Sequence, residues 1–225
     1  MTGNTGMEPL LTGADTLIWR VGTNRSETEV VEAATSLLTR GGIVVYPTET
    51  FYGLGGNPLS PATVAAIFAI KKREREKALP LIASGIQAVR EWVEEFPALA
   101  ERLAAAFWPG PLTLILRAVH RLPPQVHAST GKIAIRVSSH PVARALAASL
   151  GGLIVSTSAN FTGQRACRTL AEIPIELVRQ VDGVIDAGRL PGSLPSTIVD
   201  VTGGSPLLVR EGCVPFMEIE RAAAL

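Results

Sequence analysis

Short apolar runs alternate with helical stretches along almost the whole chain, and this alternation constrains the fold more than any other feature. The runs GIVVYP from Gly42, LPLIA from Leu79, LTLILRA from Leu112, KIAIRV from Lys132 and GLIVS from Gly152 read as buried strands. Between them lie segments with helix start signals. Ser26 followed by Glu29 forms a capping box ahead of the apolar face Val30, Val31, Ala34, Leu37 and Leu38, and Gly41 is its stop. Ser60 and Pro61 take the N-cap and first helical positions of a helix that reaches Lys71 and Lys72. Helices are also expected in GIQAVREWVEEF, PALAERLAAAF and HPVARALAASL and near Glu172 to Gln180, with short strands at GVIDAG, STIVDVT and LLVREG. Interleaved strands and helices predict an α/β sheet covered on both faces.

No period of repeat length recurs and no Pro/Ser linker splits the middle, so one domain is expected over residues 16–218, with tails at 1–15 and 219–225. A 225-residue chain that is 47% hydrophobic can bury a substantial core. Its apolar runs fall far short of the roughly 20 residues of a membrane helix. The opening MTGNTGMEPLLTGADT lacks the basic start and apolar centre of a signal peptide, so a cytoplasmic protein without membrane association is expected. Cys167 and Cys213 lie outside any C-x-x-C and read as reduced thiols. A net charge of +1 excludes the strong positive field of a dedicated nucleic-acid binder, so any anion site is local.

Two strand exits look alike. IVVYPTETFYGLGGN and LIVSTSANFTG each pass from an apolar run to hydroxyl or amide side chains and then to glycine. Ligands of α/β sheets sit where loops leave the carboxyl ends of strands, so both exits are placed to line one pocket. Hydroxyls and amides bond an anion or an amino acid without adding fixed charge, and glycines admit close backbone N–H groups. Turn and cap chemistry is the alternative, because Ser, Thr and Asn also close turns. Asn160-Phe161-Thr162 matches a glycosylation sequon, a reading that requires secretion.

The run KKREREK, Lys71 to Lys77, also has two readings. Cations after a helix complement its macrodipole, by about 0.3–1 kcal/mol each when exposed. Alternatively Lys71, Arg73 and Lys77 clamp phosphates. Arg136 is more telling, since a guanidinium inside the apolar strand IAIRV needs an anionic partner or a cavity. The P-loop pattern is absent, GLGGN lacks the dinucleotide-binding glycine spacing, and His120, His127 and His140 have no metal-ligand spacing. No G-x-S-x-G elbow accompanies the serines. Trp108 in FWPGPLT reads as a packing aromatic.

Taken in order, YPTETFYGLG, KKREREKALPLIA, WPGPLTLIL, IAIRVSSHP, STSANFTG, PSTIVDV and LVREG resemble the threonylcarbamoyl-AMP synthase (YrdC-like) family, in its short single-domain form. The resemblance covers about residues 26 to 215. It implies a twisted, open, mixed α/β sheet with helices on both faces around a positively charged cavity. It further implies a nucleotidyltransferase that converts L-threonine, bicarbonate and ATP to L-threonylcarbamoyl-adenylate and pyrophosphate. That product feeds the t6A37 modification of tRNA, completed by downstream t6A-transfer proteins.

The K-x-R signature of the family falls on Lys71 and Arg73, the implied catalytic pair, and S-x-N falls on Ser158 and Asn160. By the same resemblance Lys71, Arg73, Lys77, Lys132, Ser158, Asn160 and Arg210 meet ATP. Thr48, Thr50, Arg136, Ser156 and Ser196 hold threonine or its carbamate. Mg²⁺ is implied as a bridge between phosphates, with no protein metal ligand. Glu74 departs from the family's pattern, which has proline after K-x-R in many relatives. Rival readings are an RNA-binding module of the same fold, with weak tRNA or double-stranded RNA affinity, a carbamoyl-adenylate-forming relative of hydrogenase-maturation proteins, and an inactive paralogue. Near-neutral charge and few aromatics oppose the first as a primary role. The second is opposed by the lack of zinc-finger and acylphosphatase segments, the third by the intact STSAN and K-x-R.

Overall fold

The structure, a computed structural model, describes residues 16–22, 26–72 and 77–224. The segment 1–15, expected as a tail, lies outside the described residues. Strand β1 (Leu17–Arg20) precedes helix α1 (Glu27–Leu38), which starts with the expected capping box between Ser26 and Glu29. β2 (Val44–Tyr46) and β3 (Gly53–Gly55) pair antiparallel around the PTET loop. α2 (Pro61–Lys71) begins at Ser60, whose Oγ accepts from Thr63 N at 3.2 Å. β4 (Leu81–Ala83), α3 (Ile86–Trp92) and α4 (Ala98–Phe107) follow, then the long pair β5 (Leu112–Arg117) and β6 (Lys132–Val137). As expected of a packing aromatic, Trp108 stacks against Phe96 and donates from Nε1 to Leu112 O at 2.6 Å. α5 (Pro141–Ser149) leads into β7 (Leu153–Val155) and β8 (Thr157–Ser158).

The helix expected near Glu172 to Gln180 is cut short. A 3-10 turn at Leu170–Glu172 stops before Pro174, and only α6 (Ile175–Val178) follows it. Proline disfavours helical backbone at the residue before it, and Ile173 is extended with φ −76° and ψ 128°. β9 (Gly183–Asp186), β10 (Thr197–Asp200) and β11 (Leu207–Arg210) complete the strands, and α7 (Phe216–Ala223) closes the described chain. This last helix crosses the boundary expected at residue 218. Ile219 is fully buried, and Arg102 Nη2 donates to Ala223 O at 2.9 Å.

The strands form two mixed sheets, ordered β1-β9-β2-β3-β8 and β11-β10-β5-β6-β4-β7. Alternate residues of a strand face opposite sides, and here the two sides are capped by different helices. Val44, Ile82 and Ile154 cluster with Val30, Ala34 and Leu38 of α1 and with Val142 and Leu146 of α5. Val45, Leu81 and Val155 instead join a larger cluster containing Ile67 of α2, Val89 of α3 and Leu103 of α4. Helices therefore cover both faces.

β7 belongs to one sheet and β8 to the other, with the single residue Ser156 between them. Ser156 N donates to Pro80 O at 2.8 Å, and Val155 N donates to Gly56 O at 3.1 Å. The seam is tight enough to require glycine: a Cβ on Gly55 would collide with Val155 O and sit 2.9 Å from Tyr46 Cε1. Backbone cannot yield as a flexible side chain can. Gly55→Ala is expected to destabilise the fold by about 3 kcal/mol, the upper part of the range for overpacking, in denaturant unfolding. A substitution neutral within 0.5 kcal/mol, roughly the scatter of an ordinary surface change, would show the seam to be pliable.

Candidate active site

Both hydroxyl-rich strand exits open into one cavity of about 1110 Å³. Thr48 and Thr50 reach it from the loop after β2, Arg136 from β6, and Ser156 from the seam. Ser158 and Asn160 enter from the end of β8, Ser196 from the residue before β10, and Arg210 from the last position of β11. Eight of the expected residues, far apart in sequence, thus line one cavity.

Each is fixed by local bonds. Thr50 N and Phe51 N both donate to Thr48 Oγ1 at 3.2 Å, and Thr48 Oγ1 donates to Phe51 O at 2.7 Å, closing the turn. Tyr46, fully buried beneath the seam, donates from its hydroxyl to Val155 O at 2.9 Å, and burial pushes its phenol far up. Thr113 Oγ1 donates to Ser196 Oγ at 2.9 Å, while Arg210 Nη2 donates to Ser196 O at 2.8 Å. Arg136 is 7% exposed. Burial, with the Arg210 charge acting in the same direction, lowers it to about 10 against the opposing pull of Tyr46 and Cys213. It remains a cation at neutral pH. Its charged partner is Glu49, whose carboxylate also accepts from Ser138 Oγ.

Lys71 occupies a different place from the cavity lining. It is the last residue of α2, is 2% exposed, and approaches the S-x-N loop from behind. Its Nζ donates to Ser158 O at 2.6 Å and to Asn160 Oδ1 at 2.8 Å, and closely contacts Asn160 O. Ser158 Oγ donates to the same Asn160 Oδ1 at 2.6 Å, Asn160 Nδ2 donates to Gln164 O at 2.7 Å, and Thr162 Oγ1 returns to Lys71 O at 2.9 Å. The ammonium therefore shapes the loop that presents Ser158 and Asn160.

Lys132 is not brought to the cavity. It starts the strand in which Arg136 is the fifth residue, about 13 Å away along β6. Its Nζ donates to Asp200 Oδ2 at 2.8 Å. Burial tends to raise the Asp200 carboxyl, but bonds from Lys132 and Thr202 outweigh it and hold the group below its ordinary range. A carboxyl depressed on folding stabilises the fold above its unfolded pKa and ceases to do so as pH falls through the folded value. Lys132→Met is accordingly expected to cost up to about 1 kcal/mol at neutral pH, a deficit that narrows below about pH 4, with ATP kinetics unchanged. Thermal unfolding across pH and turnover at varied ATP check both halves.

Lys77 is exposed and directly precedes Ala78, which lines the cavity. Arg73 and Glu74 lie outside the described residues. Sequence reasoning missed Glu49, Thr113, Arg165 and Arg168. The last two line the cavity with Arg136 and Arg210, whereas Glu172 is the only carboxylate among the described lining residues. The signal for Glu49 was the buried Arg136, which had to find an anion. Both cysteines are free, with Cys167 buried in the cavity wall. Among the described residues no group of three or more His, Cys, Asp and Glu is arranged to hold a metal ion. No helix among them is long and apolar enough to cross a membrane.

Residues 36–212 match the Sua5, YciO and YrdC family model, described as Telomere recombination. Threonylcarbamoyl-AMP synthase of Xanthomonas euvesicatoria pv. vesicatoria (strain 85-10) is 37% identical over 185 residues, 81% of this chain and 98% of that protein. P. abyssi Sua5 complexed with L-threonine superposes with a TM-score of 0.87 at 31% identity, over 92% of this chain and 61% of that one. E. coli YciO does so with a TM-score of 0.80 at 27% identity, over 89% of this chain and 97% of that one. Sequence match and superposition both extend over most of the chain, which therefore belongs to the Sua5/YciO/YrdC family.

Proposed function

We infer that the chain is an L-threonylcarbamoyladenylate synthase, joining L-threonine, bicarbonate and ATP into threonylcarbamoyl-AMP with release of pyrophosphate. The observation that carries this reading is the single cavity lined by the guanidiniums of Arg136 and Arg210 together with Thr48, Thr50, Ser156, Ser158, Asn160 and Ser196. Threonine brings a carboxylate and an amine, and ATP brings phosphates. Fixed cations with neutral hydrogen-bonding groups around them suit that pair better than an apolar pocket would.

The amine of threonine takes up bicarbonate as a carbamate, losing water. A carbamate oxygen then bonds to the α-phosphorus, the bond from that phosphorus to the β-bridging oxygen breaks, and pyrophosphate departs. No protein nucleophile is required. Positioning and stabilisation of charge on the phosphoryl oxygens account for the acceleration. In this assignment Thr48, Thr50, Arg136, Ser156 and Ser196 hold threonine and its carbamate. Ser158, Asn160 and Arg210 hold the nucleotide, with Arg73 and Lys77 assigned to its phosphates by the family motif. Lys71 acts through the S-x-N loop, and Lys132 serves the fold. With Glu172 as the only carboxylate among the described lining residues, the chain's own groups do not suit a resident Mg²⁺, so the ion belongs to the substrate, Mg·ATP. A cytoplasmic location follows from the source of these substrates. The mixed anhydride is hydrolytically labile, which calls for downstream transfer proteins that pass it to tRNA. Any direct contact with tRNA is weak, given the net charge of +1.

The test supplies purified protein with Mg·ATP, bicarbonate and one amino acid at a time and follows pyrophosphate and adenylate. Threonine-dependent pyrophosphate release, stoichiometric with threonylcarbamoyl-AMP, is expected. Release that ignores threonine, or an adenylate lacking the carbamoyl carbon, would overturn the reading.

A further inference from the structure

We propose that Glu49 is a positioning residue that aims Arg136 at the amino-acid end of the cavity from behind its wall. The ligand's identity rests on the synthase reading above. Thr48 and Thr50 line the cavity, whereas Glu49 between them turns to the other side. One carboxylate oxygen, Oε1, is in ion-pair contact with Arg136 Nη1, and the other, Oε2, accepts from Ser138 Oγ. Both side chains are nearly enclosed, with 8% of Arg136 and 13% of Glu49 exposed. Arg136 Nη1 and Glu49 Oε1 are both buried, and their ion-pair contact holds this edge of the guanidinium.

Ser138 is itself anchored to the start of α5. His140 N donates to Ser138 Oγ at 3.1 Å, and Arg144 Nη1 donates to Ser138 O at 2.6 Å. Glu49 thereby ties the PTET loop, the end of β6 and the head of α5 to one point. Two effects of its charge oppose each other. It competes with a substrate carboxylate for Arg136, and it fixes where the guanidinium points. Orientation dominates in a nearly enclosed site, because an unpaired buried cation turns toward whatever acceptor remains.

Glu49→Gln is expected to weaken threonine on the order of 10 to 100-fold, the scale of a misplaced contact, and to leave ATP binding within about threefold. Calorimetry with threonine alone and with ATP alone gives both affinities, and turnover gives the split between KM and kcat. Ser138→Ala, which frees the carboxylate while retaining its charge, is expected to weaken threonine about threefold or more and decides the matter should Glu49→Gln not fold. Unchanged or tighter threonine binding, or equal losses for threonine and ATP, would overturn the role. A wild-type chain that binds no threonine sinks both this role and the synthase reading. A wild type that binds threonine while both variants bind it equally well sinks the role alone.

Discussion

Lys71→Met is expected to lower stability by about 3–5 kcal/mol and turnover by more than about 100-fold, because it removes one ammonium from a cluster of buried oxygens. Ser158 O, Asn160 O and Asn160 Oδ1 all face that single Nζ. Each charge-assisted bond contributes roughly 1.5–3 kcal/mol, and acceptors left buried without a donor keep their desolvation cost. Methionine fills similar space and donates nothing. The loop holding Ser158 and Asn160 then loses its fixed shape, and activity falls further than stability alone accounts for. Lys71→Arg fares little better, since a planar fork does not match oxygens gathered around a point charge. Denaturant unfolding and pyrophosphate release measure the two effects separately. A Lys71→Met protein with wild-type stability and turnover would show that the loop holds itself.

Arg136→Leu is expected to cost about 3–5 kcal/mol and to eliminate measurable threonine binding. The stability loss comes from what remains: the Glu49 carboxylate, nearly enclosed, keeps Ser138 but loses its cation. The combined change Arg136→Leu with Glu49→Leu should therefore recover most of that stability, because removing both members of a buried pair is far milder than removing one. Threonine binding stays lost in both. A double variant no more stable than the single one would mean that Arg136 acts on the fold by packing rather than charge. Unfolding curves of the four proteins in this cycle give the coupling directly.

Much of the fold was legible because the signals were local. The Ser26–Glu29 capping box, Pro61 at the start of α2 and the apolar runs of β5 and β6 each specify their element without reference to distant residues. β3 escaped notice because Gly53, Leu54 and Gly55 have almost no strand character of their own. Their pairing with β2 and β8 decides their state. The helix near Glu172 was read through Pro174, whose effect on Ile173 breaks it.

The hydroxyl groups of the cavity were readable as strand exits, and Arg136 as a cation in need of company. Directions were not readable. Lys71 and Lys132 carry the same charge as the cavity arginines, yet one supports a loop from behind and the other pairs with Asp200. Sequence spacing fixes which side of a helix or strand a residue leaves from only once register and neighbours are known. Glu49 was hidden for the same reason, between two threonines that drew attention to the opposite side.

One residue, Ser156, carries the chain across from the six-stranded sheet to the five-stranded one. Ser156, assigned to the amino acid, and Ser158 and Asn160, assigned to the nucleotide, therefore hang on a common backbone thread, and the distance between them is counted in whole residues of about 3.3 Å. Under the proposed assignment, this stretch of covalent chain would be the gauge that sets the spacing between the two substrates. Adding or deleting a single residue at this crossing would change that gauge by one step and turn every following side chain to the wrong side.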